Sequence, residues 1–262
     1  MMLTVIKKIY KKIKKIYNNN PADLLVAISS TMLILFFAVI MNLIENDVFN
    51  NNSQSIQNII FNIATQLLYT GLWIGLIKIL FQIIDKKEKK ISNLFNYFDL
   101  LPYVVLGSLL NYIICLISVL PSLIIIYLKY GFENLSFLYE SLINQDPALN
   151  ALMNSYINNF DILLIAILIL IPIVYVSLKT SFVNFYIIDQ SLSPVDSIKK
   201  SWKITTNQTH NIFLFVLVLF ILNLFIGIIS LGMGLFFSFP ISILFICQYY
   251  RILDNKRSYN EK

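Results

Sequence analysis

The side chains that could do chemistry are few. One histidine, His210, sits beside Asn211 at the mouth of an apolar stretch. A hydrolase needs a nucleophile with an adjacent base, or a set of metal ligands. A lone histidine in that position reads instead as an interfacial hydrogen-bonding residue. Cys115 and Cys247 both lie within apolar stretches, as small core-filling residues rather than a disulfide or zinc pair. No HExxH, CxxC or Walker-type pattern occurs, and the carboxylates fall almost entirely between the apolar stretches. No catalytic, cofactor-binding or metal-ligating residue is therefore expected, no cofactor is implied, and an enzyme is not the expectation.

Two cations stand out because they fall within or beside apolar stretches: Lys78 and Lys179. Lys78 lies seven residues before Asp85, about 10 Å from the polar edge at the helical rise. A lysine stem can snorkel much of that distance, which is the default reading. The sharper alternative is a polar cluster inside the membrane, in which Lys78 pairs with Asp99 or Asp189.

The elements that must position these groups follow from composition. Of 262 residues, 58% are hydrophobic and only 13% charged. A soluble domain of this size needs far more charge on its surface. Six stretches are long enough to cross a hydrocarbon core as helix, which takes about 20 residues. They are Leu24–Ile44, Ile59–Ile84, Leu100–Leu128, Ile162–Leu178 with a possible continuation to Ile188, Ile212–Ile229 and Leu231–Tyr249. None alternates with period two, so a barrel is disfavoured. The first stretch follows a lysine-rich segment as a secretory signal does. It is too long for a signal core and lacks a small-x-small site, so it reads as a retained anchor. The expected fold is all-α: a polytopic six-helix transmembrane bundle with short interfacial amphipathic helices. Its expected parts are a basic amphipathic cytoplasmic segment (1–20), a six-span domain (21–253) and a cytoplasmic tail (254–262).

The formal net charge is +6, and the cations are not spread evenly. Six lysines precede the first span, and Lys86, Lys87, Lys89 and Lys90 follow the second. Lys199, Lys200 and Lys203 follow the fourth, and Arg251, Lys256, Arg257 and Lys262 close the chain. Alternation across six spans puts these 17 of 20 basic residues on one side, with Lys129 opposite. The positive-inside bias then places both termini in the cytoplasm.

Amphipathic pieces lie beside the spans. Ile6, Ile9, Tyr10, Ile13, Ile16 and Tyr17 form one apolar stripe, and Lys7, Lys8, Lys11, Lys12, Lys14 and Lys15 fill the other faces. That pattern predicts a helix lying in the membrane interface, its lysines on anionic headgroups. Ile91, Leu94, Phe95 and Phe98 repeat the pattern before the third span, with a break marked by Asp99 and Pro102. Ser193-Pro194-Val195-Asp196 is a helix start with a serine cap, and Val195, Ile198 and Trp202 share one face of the helix that follows. Trp202 is an interfacial anchor and a further candidate for headgroup contact. On the outer side, Leu149 to Phe160 keeps helical spacing, and Ser230 to Gly234 reads as a tight hairpin.

Small residues mark close packing. Gly71 and Gly75 form a GxxxG pair, and Gly234, Ser238 and Ser242 run along one face of the sixth span. Packing inside the bundle is the expectation for both. Pro102, Pro121, Pro172 and Pro240 are candidate kinks, and Asn62, Gln66, Asn111 and Asn223 candidate interhelical hydrogen-bonders.

The stretch from Phe182 to Trp202 (FVNFYIIDQSLSPVDSIKKSW) and the ending with Gly234, Pro240 and Tyr249-Tyr250-Arg251-Ile252-Leu253 resemble a family of uncharacterised six-helix bacterial membrane proteins. That family is grouped with the membrane domain of glycerophosphoryl diester phosphodiesterases. The positions that carry the resemblance are Asp189, Pro194, Asp196, Ser201, Gly234, Pro240 and Tyr249 or Tyr250; Ser197 and Asn207 stand where alanine and glycine are usual. It covers about the last ninety residues, and it implies a bacterial membrane domain. In some relatives a soluble catalytic barrel follows that domain, and none is expected here. The functional expectation is a non-enzymatic protein of a bacterial plasma membrane, lipid-interacting or a membrane component of an assembly. Its expected partners are anionic headgroups at the cytoplasmic face, not nucleic acid. The alternative is a small-molecule or lipid transporter using proline-kinked spans.

Overall fold

The computed structural model describes residues 2–48, 56–144 and 159–260. Among them the ordered elements are α1 (Met2–Asn19), α2 (Pro21–Val48), α3 (Ile56–Ile84), two 3-10 turns (Ile91–Phe95 and Phe98–Leu100), α4 (Leu101–Asn144), α5 (Asn159–Lys179), α6 (Val183–Gln190), α7 (Pro194–Thr205), α8 (Thr209–Ile229) and α9 (Leu235–Asn260). Among the described residues six segments are long and apolar enough to cross a membrane: Pro21–Glu45, Ile56–Ile84, Ile91–Lys129, Leu163–Gln190, Thr209–Ile229 and Leu235–Asn255. The chain is an all-helical, multi-pass membrane protein.

Lipid as the surrounding solvent explains what the helices leave uncovered. On α8, Phe220, Phe225, Ile228 and Ile229 are each more than 60% exposed. A water-soluble protein does not present contiguous apolar surface of that kind. The backbone polar groups of these helices are satisfied within the helix, as hydrocarbon requires.

The chain divides into two compact units. The first holds residues 1–108 and 181–262. Within it α3 and α9 are the most enclosed spans. Ile74, Leu100, Val104, Val183, Ile187 and Ile188 form one buried cluster, flanked by Ile77, Tyr97, Leu101 and Ile198. An aromatic cluster lies beside it. Phe81, Phe182, Phe185 and Tyr250 have ring centroids 5.7–6.1 Å apart, and Tyr186 meets Tyr250 edge-on at 5.0 Å. Tyr249 stacks tilted on Phe215 of α8 at 4.5 Å.

The second unit, residues 109–180, joins most of α4 to α5. Ser122 donates to the Leu168 carbonyl at 2.8 Å, and Lys129 pairs with Asp161 at 2.9 Å. Gly131 interrupts α4 with φ +73°, a left-handed conformation that only glycine adopts without strain.

Several sequence expectations are refined here. Pro102 is the second residue of α4, where it starts the helix rather than kinking it; Pro121, Pro172 and Pro240 lie inside helices. The fourth span breaks at Thr180–Phe182 before α6. α9 runs to Asn260, so the boundary expected at 254 falls within a helix. The residues before the third span form 3-10 turns instead of an interfacial α-helix, and Leu94 is fully buried. Residues 145–158, which carry most of the expected outer amphipathic helix, lie outside the described residues. The hairpin at Ser230–Gly234 is present, with Leu231 and Gly232 at positive φ.

Candidate functional site

The last turns of α9 supply the most concentrated chemistry. Cys247, Tyr250, Arg251 and Asp254 recur at helical spacing and so share one face. The Arg251 guanidinium reaches two carboxylates through one nitrogen. Its Nη2 lies 2.7 Å from Asp189 at the end of α6 and 3.0 Å from Asp85 just beyond α3. The same guanidinium stacks 5.1 Å from the Phe81 ring centroid. Asp189 is doubly held, since its other oxygen accepts the Tyr250 hydroxyl at 3.3 Å.

A second layer extends the network. Asp254 accepts from the Tyr186 hydroxyl at 2.8 Å and from the Gln190 amide at 3.0 Å. Gln190 also donates to Tyr250 and accepts from Lys200 of α7. The end of α3 and α6 are thus tied to α9 by charge-assisted bonds, the strong class of hydrogen bond, and Lys200 joins α7 to α6.

Lys78 does something the sequence did not suggest. Its Nζ donates to the Ile188 carbonyl at 2.8 Å and lies 5.6 Å from the Tyr97 ring centroid. Ile188 is in the last turn of α6, where carbonyls have no partner within the helix and carry partial negative charge. The lysine therefore caps a helix. Of the expected cluster of Lys78, Asp99 and Asp189, both carboxylates lie near enough to act on Lys78 electrostatically, but the direct ion pair of Asp189 is with Arg251, and Asp99 is exposed. The sequence signal for Arg251 was present in the spacing along α9, but no pattern along the chain couples it to Asp189, 62 positions away.

The small-residue motifs also find partners. A Cβ on Gly75 would run into the Leu94 backbone, and one on Gly71 into the Phe98 ring. The GxxxG face therefore receives the 3-10 segment that follows α3 instead of another span. Gly234 abuts Ile226 and Ser230, and Ser242 accepts from Asn223 of α8 at 2.7 Å. Ser238 carries a buried hydroxyl with no hydrogen-bond partner. Asn62 reaches Glu45 of α2 at 3.0 Å. On α7, Ser193 caps the helix by accepting from the Asp196 amide, and it donates to the Asp196 carboxylate. The face of α7 that is buried is Ser197, Ser201, Ile204 and Thr205; Val195 and Trp202 are left exposed.

The basic N-terminal helix lands at the same end. Ile9 and Ile13 of α1 are buried, at 0% and 7% exposure, so part of the stripe expected to enter lipid is covered by protein. Lys7, Lys8, Lys11, Lys12, Lys14 and Lys15 are all exposed. Between α1, the end of α3 and the end of α9 opens a cavity of about 650 Å³. Lys12, Lys15, Lys86, Lys89 and Arg251 line it against only Asp23 and Asp85, a net charge of +3. Asp23 is bound to Lys89 at 2.5 Å, so the ion pair closes one wall.

His210 is exposed at the start of α8, Cys247 is buried and Cys115 half-buried. Among the described residues no three His, Cys, Asp or Glu side chains gather where they could share an ion. No family model, curated protein or solved structure matches the chain, so its functional reading rests on this geometry alone.

Proposed function

We propose that the chain is a non-enzymatic protein of a bacterial plasma membrane that engages anionic lipid headgroups through its basic end, with both termini in the cytoplasm. One observation carries this reading: α1 is pinned by Ile9 and Ile13 while its six lysines stay exposed, beside a cavity of net positive charge. Each lysine near an anionic surface contributes roughly 1 kcal/mol, and a pinned helix holds the lysines there with little further ordering cost. The exposed Val195 and Trp202 of α7 supply apolar and aromatic contacts suited to the interface. Native mass spectrometry of the gently solubilised protein tests the reading. Retained phosphatidylglycerol or cardiolipin over phosphatidylcholine is the expected result, and indifference to headgroup charge refutes it. Reporter fusions at Asn51 and Gln145 should respond as non-cytoplasmic.

Transport is the second reading. Lys78, Asp189 and Arg251 place ionisable groups where α3, α6 and α9 meet, and Pro240 interrupts α9. A stabilising shift from a small solute, with none from lipid, would favour it.

A further inference from the structure

The second compact unit, residues 109–180, contains two proline-weakened helical turns that face each other. Proline has no amide hydrogen, so Pro172 leaves the Leu168 carbonyl, one turn earlier in α5, without its helical donor. Pro121 does the same to the Ile117 carbonyl of α4. In hydrocarbon such a carbonyl must find its partner elsewhere. Leu168 finds one across the helix pair, where the Ser122 hydroxyl donates to it at 2.8 Å. Ser122 is buried with Val119 and Ile126 on one face of α4. A backbone bond missing from α5 is thus replaced by a bond from α4.

The register of the pair puts both weak turns at one level. The Ser122–Leu168 bond and the Lys129–Asp161 ion pair are separated by seven residues on each helix, about 10 Å at the helical rise. The two helices therefore run antiparallel and in step. Counting the other way from Ser122 and Leu168, positions 117–121 of α4 stand opposite 169–173 of α5. The turn that Pro172 weakens is 168–172. A proline kink in one helix alone is resisted by a straight neighbour, but here both helices lack a backbone bond at the same height.

On the far side of these turns the pair is stiff. Residues 122–129 and 161–168 contain neither proline nor glycine, and they are tied at one end by Ser122–Leu168 and at the other by Lys129–Asp161. Gly131 then breaks α4 just beyond the ion pair. We propose that residues 122–129 and 161–168 form a rigid tip that swings as one body about a hinge at Pro121 and Pro172, with the Ser122–Leu168 hydrogen bond as its pivot. A single hydroxyl bond stops the helices sliding past each other yet permits rotation, and it keeps the Leu168 carbonyl partnered throughout. The device is independent of what the basic end binds.

Pulsed electron paramagnetic resonance on the full chain in lipid nanodiscs measures the motion. Cys115→Ala removes the half-buried thiol, and Cys247 is buried and stays. Labels go on exposed positions: Ile125→Cys with Leu163→Cys lies within the tip, and Tyr112→Cys with Leu163→Cys spans the hinge. A swing of about 20° on an arm of about 10 Å moves the tip by about 4 Å, so the hinge-spanning distances should be broader than the within-tip ones by about that amount. Pro121→Ala with Pro172→Ala returns both backbone bonds and should narrow the hinge-spanning distances to the within-tip width. Ser122→Ala should broaden them further, and less so once Pro172→Ala gives Leu168 its own donor; Ser122→Thr, which keeps the hydroxyl, should leave them as they were. Equal widths for the two label pairs while both prolines are present, or a hinge-spanning width untouched by the two proline replacements, overturns the hinge. A Ser122→Ala effect of the same size with and without Pro172 overturns the pivot.

Discussion

Removing Arg251 should cost more than any other single charge in the chain, and the structure says through which partner. In Arg251→Leu the Asp189 carboxylate, whose side chain is 7% exposed, loses its paired cation and keeps the Tyr250 hydroxyl and the more distant charge of Lys78. Breaking a buried ion pair from one side costs about 3–5 kcal/mol, because the remaining charge stays desolvated. The arginine itself is 25% exposed, which places the expected loss near the lower bound, about 3 kcal/mol. Asp85 is 34% exposed and can rehydrate, so Asp85→Asn should cost less than about 1 kcal/mol. Asp189→Asn should cost about 1–2 kcal/mol, since the freed guanidinium keeps Asp85 and the Phe81 ring. The double variant Arg251→Leu with Asp189→Asn then falls short of the sum of the two by about 1–3 kcal/mol. The assay is equilibrium unfolding in mixed micelles of rising sodium dodecyl sulfate fraction, followed by the fluorescence of Trp73 and Trp202. Additivity within about 0.5 kcal/mol, or an Asp85→Asn loss equal to that of Asp189→Asn, would refute the assignment of Asp189 as the buried partner.

The other expectations use the same unfolding measurement. Gly75→Leu should destabilise by about 3 kcal/mol or prevent folding, because the new side chain meets Leu94 backbone; Gly71→Ala should cost less, because the Phe98 ring can turn aside. Equal effects at the two glycines would show that the 3-10 segment does not seat on α3 as described. Lys78→Leu should cost about 1.5–3 kcal/mol by orphaning the Ile188 carbonyl at the end of α6, with Lys78→Arg recovering part of it. Full stability of Lys78→Leu would return that lysine to simple snorkelling.

Much of the architecture was legible in the residues themselves. Span positions agree to within about three residues except at the break before α6, in the 3-10 turns before α4, and at the sixth span, which starts four residues later and ends six later than expected. The first two exceptions have a tertiary cause. The segment from Ile91 to Phe98 carries a helical apolar pattern, but Gly71 and Gly75 open a groove on α3 into which Leu94 and Phe98 are drawn. The cap at Ser193 was fully readable, because capping involves residues three apart in the chain.

The candidate site divides along the same line. Hydrophobic length, charge blocks and short-range spacing determine the spans, the basic end and the lysine fan of α1, since each depends on neighbours within a few turns and on transfer from water to hydrocarbon. Which charge meets which was decided only by folding. Asp189 lies close in sequence to Lys179 and Lys200 yet binds Arg251, and Lys78 turns to a helix end instead of a carboxylate. The union of Lys12, Lys86 and Arg251 around one cavity is likewise a property of three distant parts of the chain brought together. Pair interactions between distant residues depend on separations of a few ångströms, and only the packing of α1, α3, α6 and α9 sets those distances.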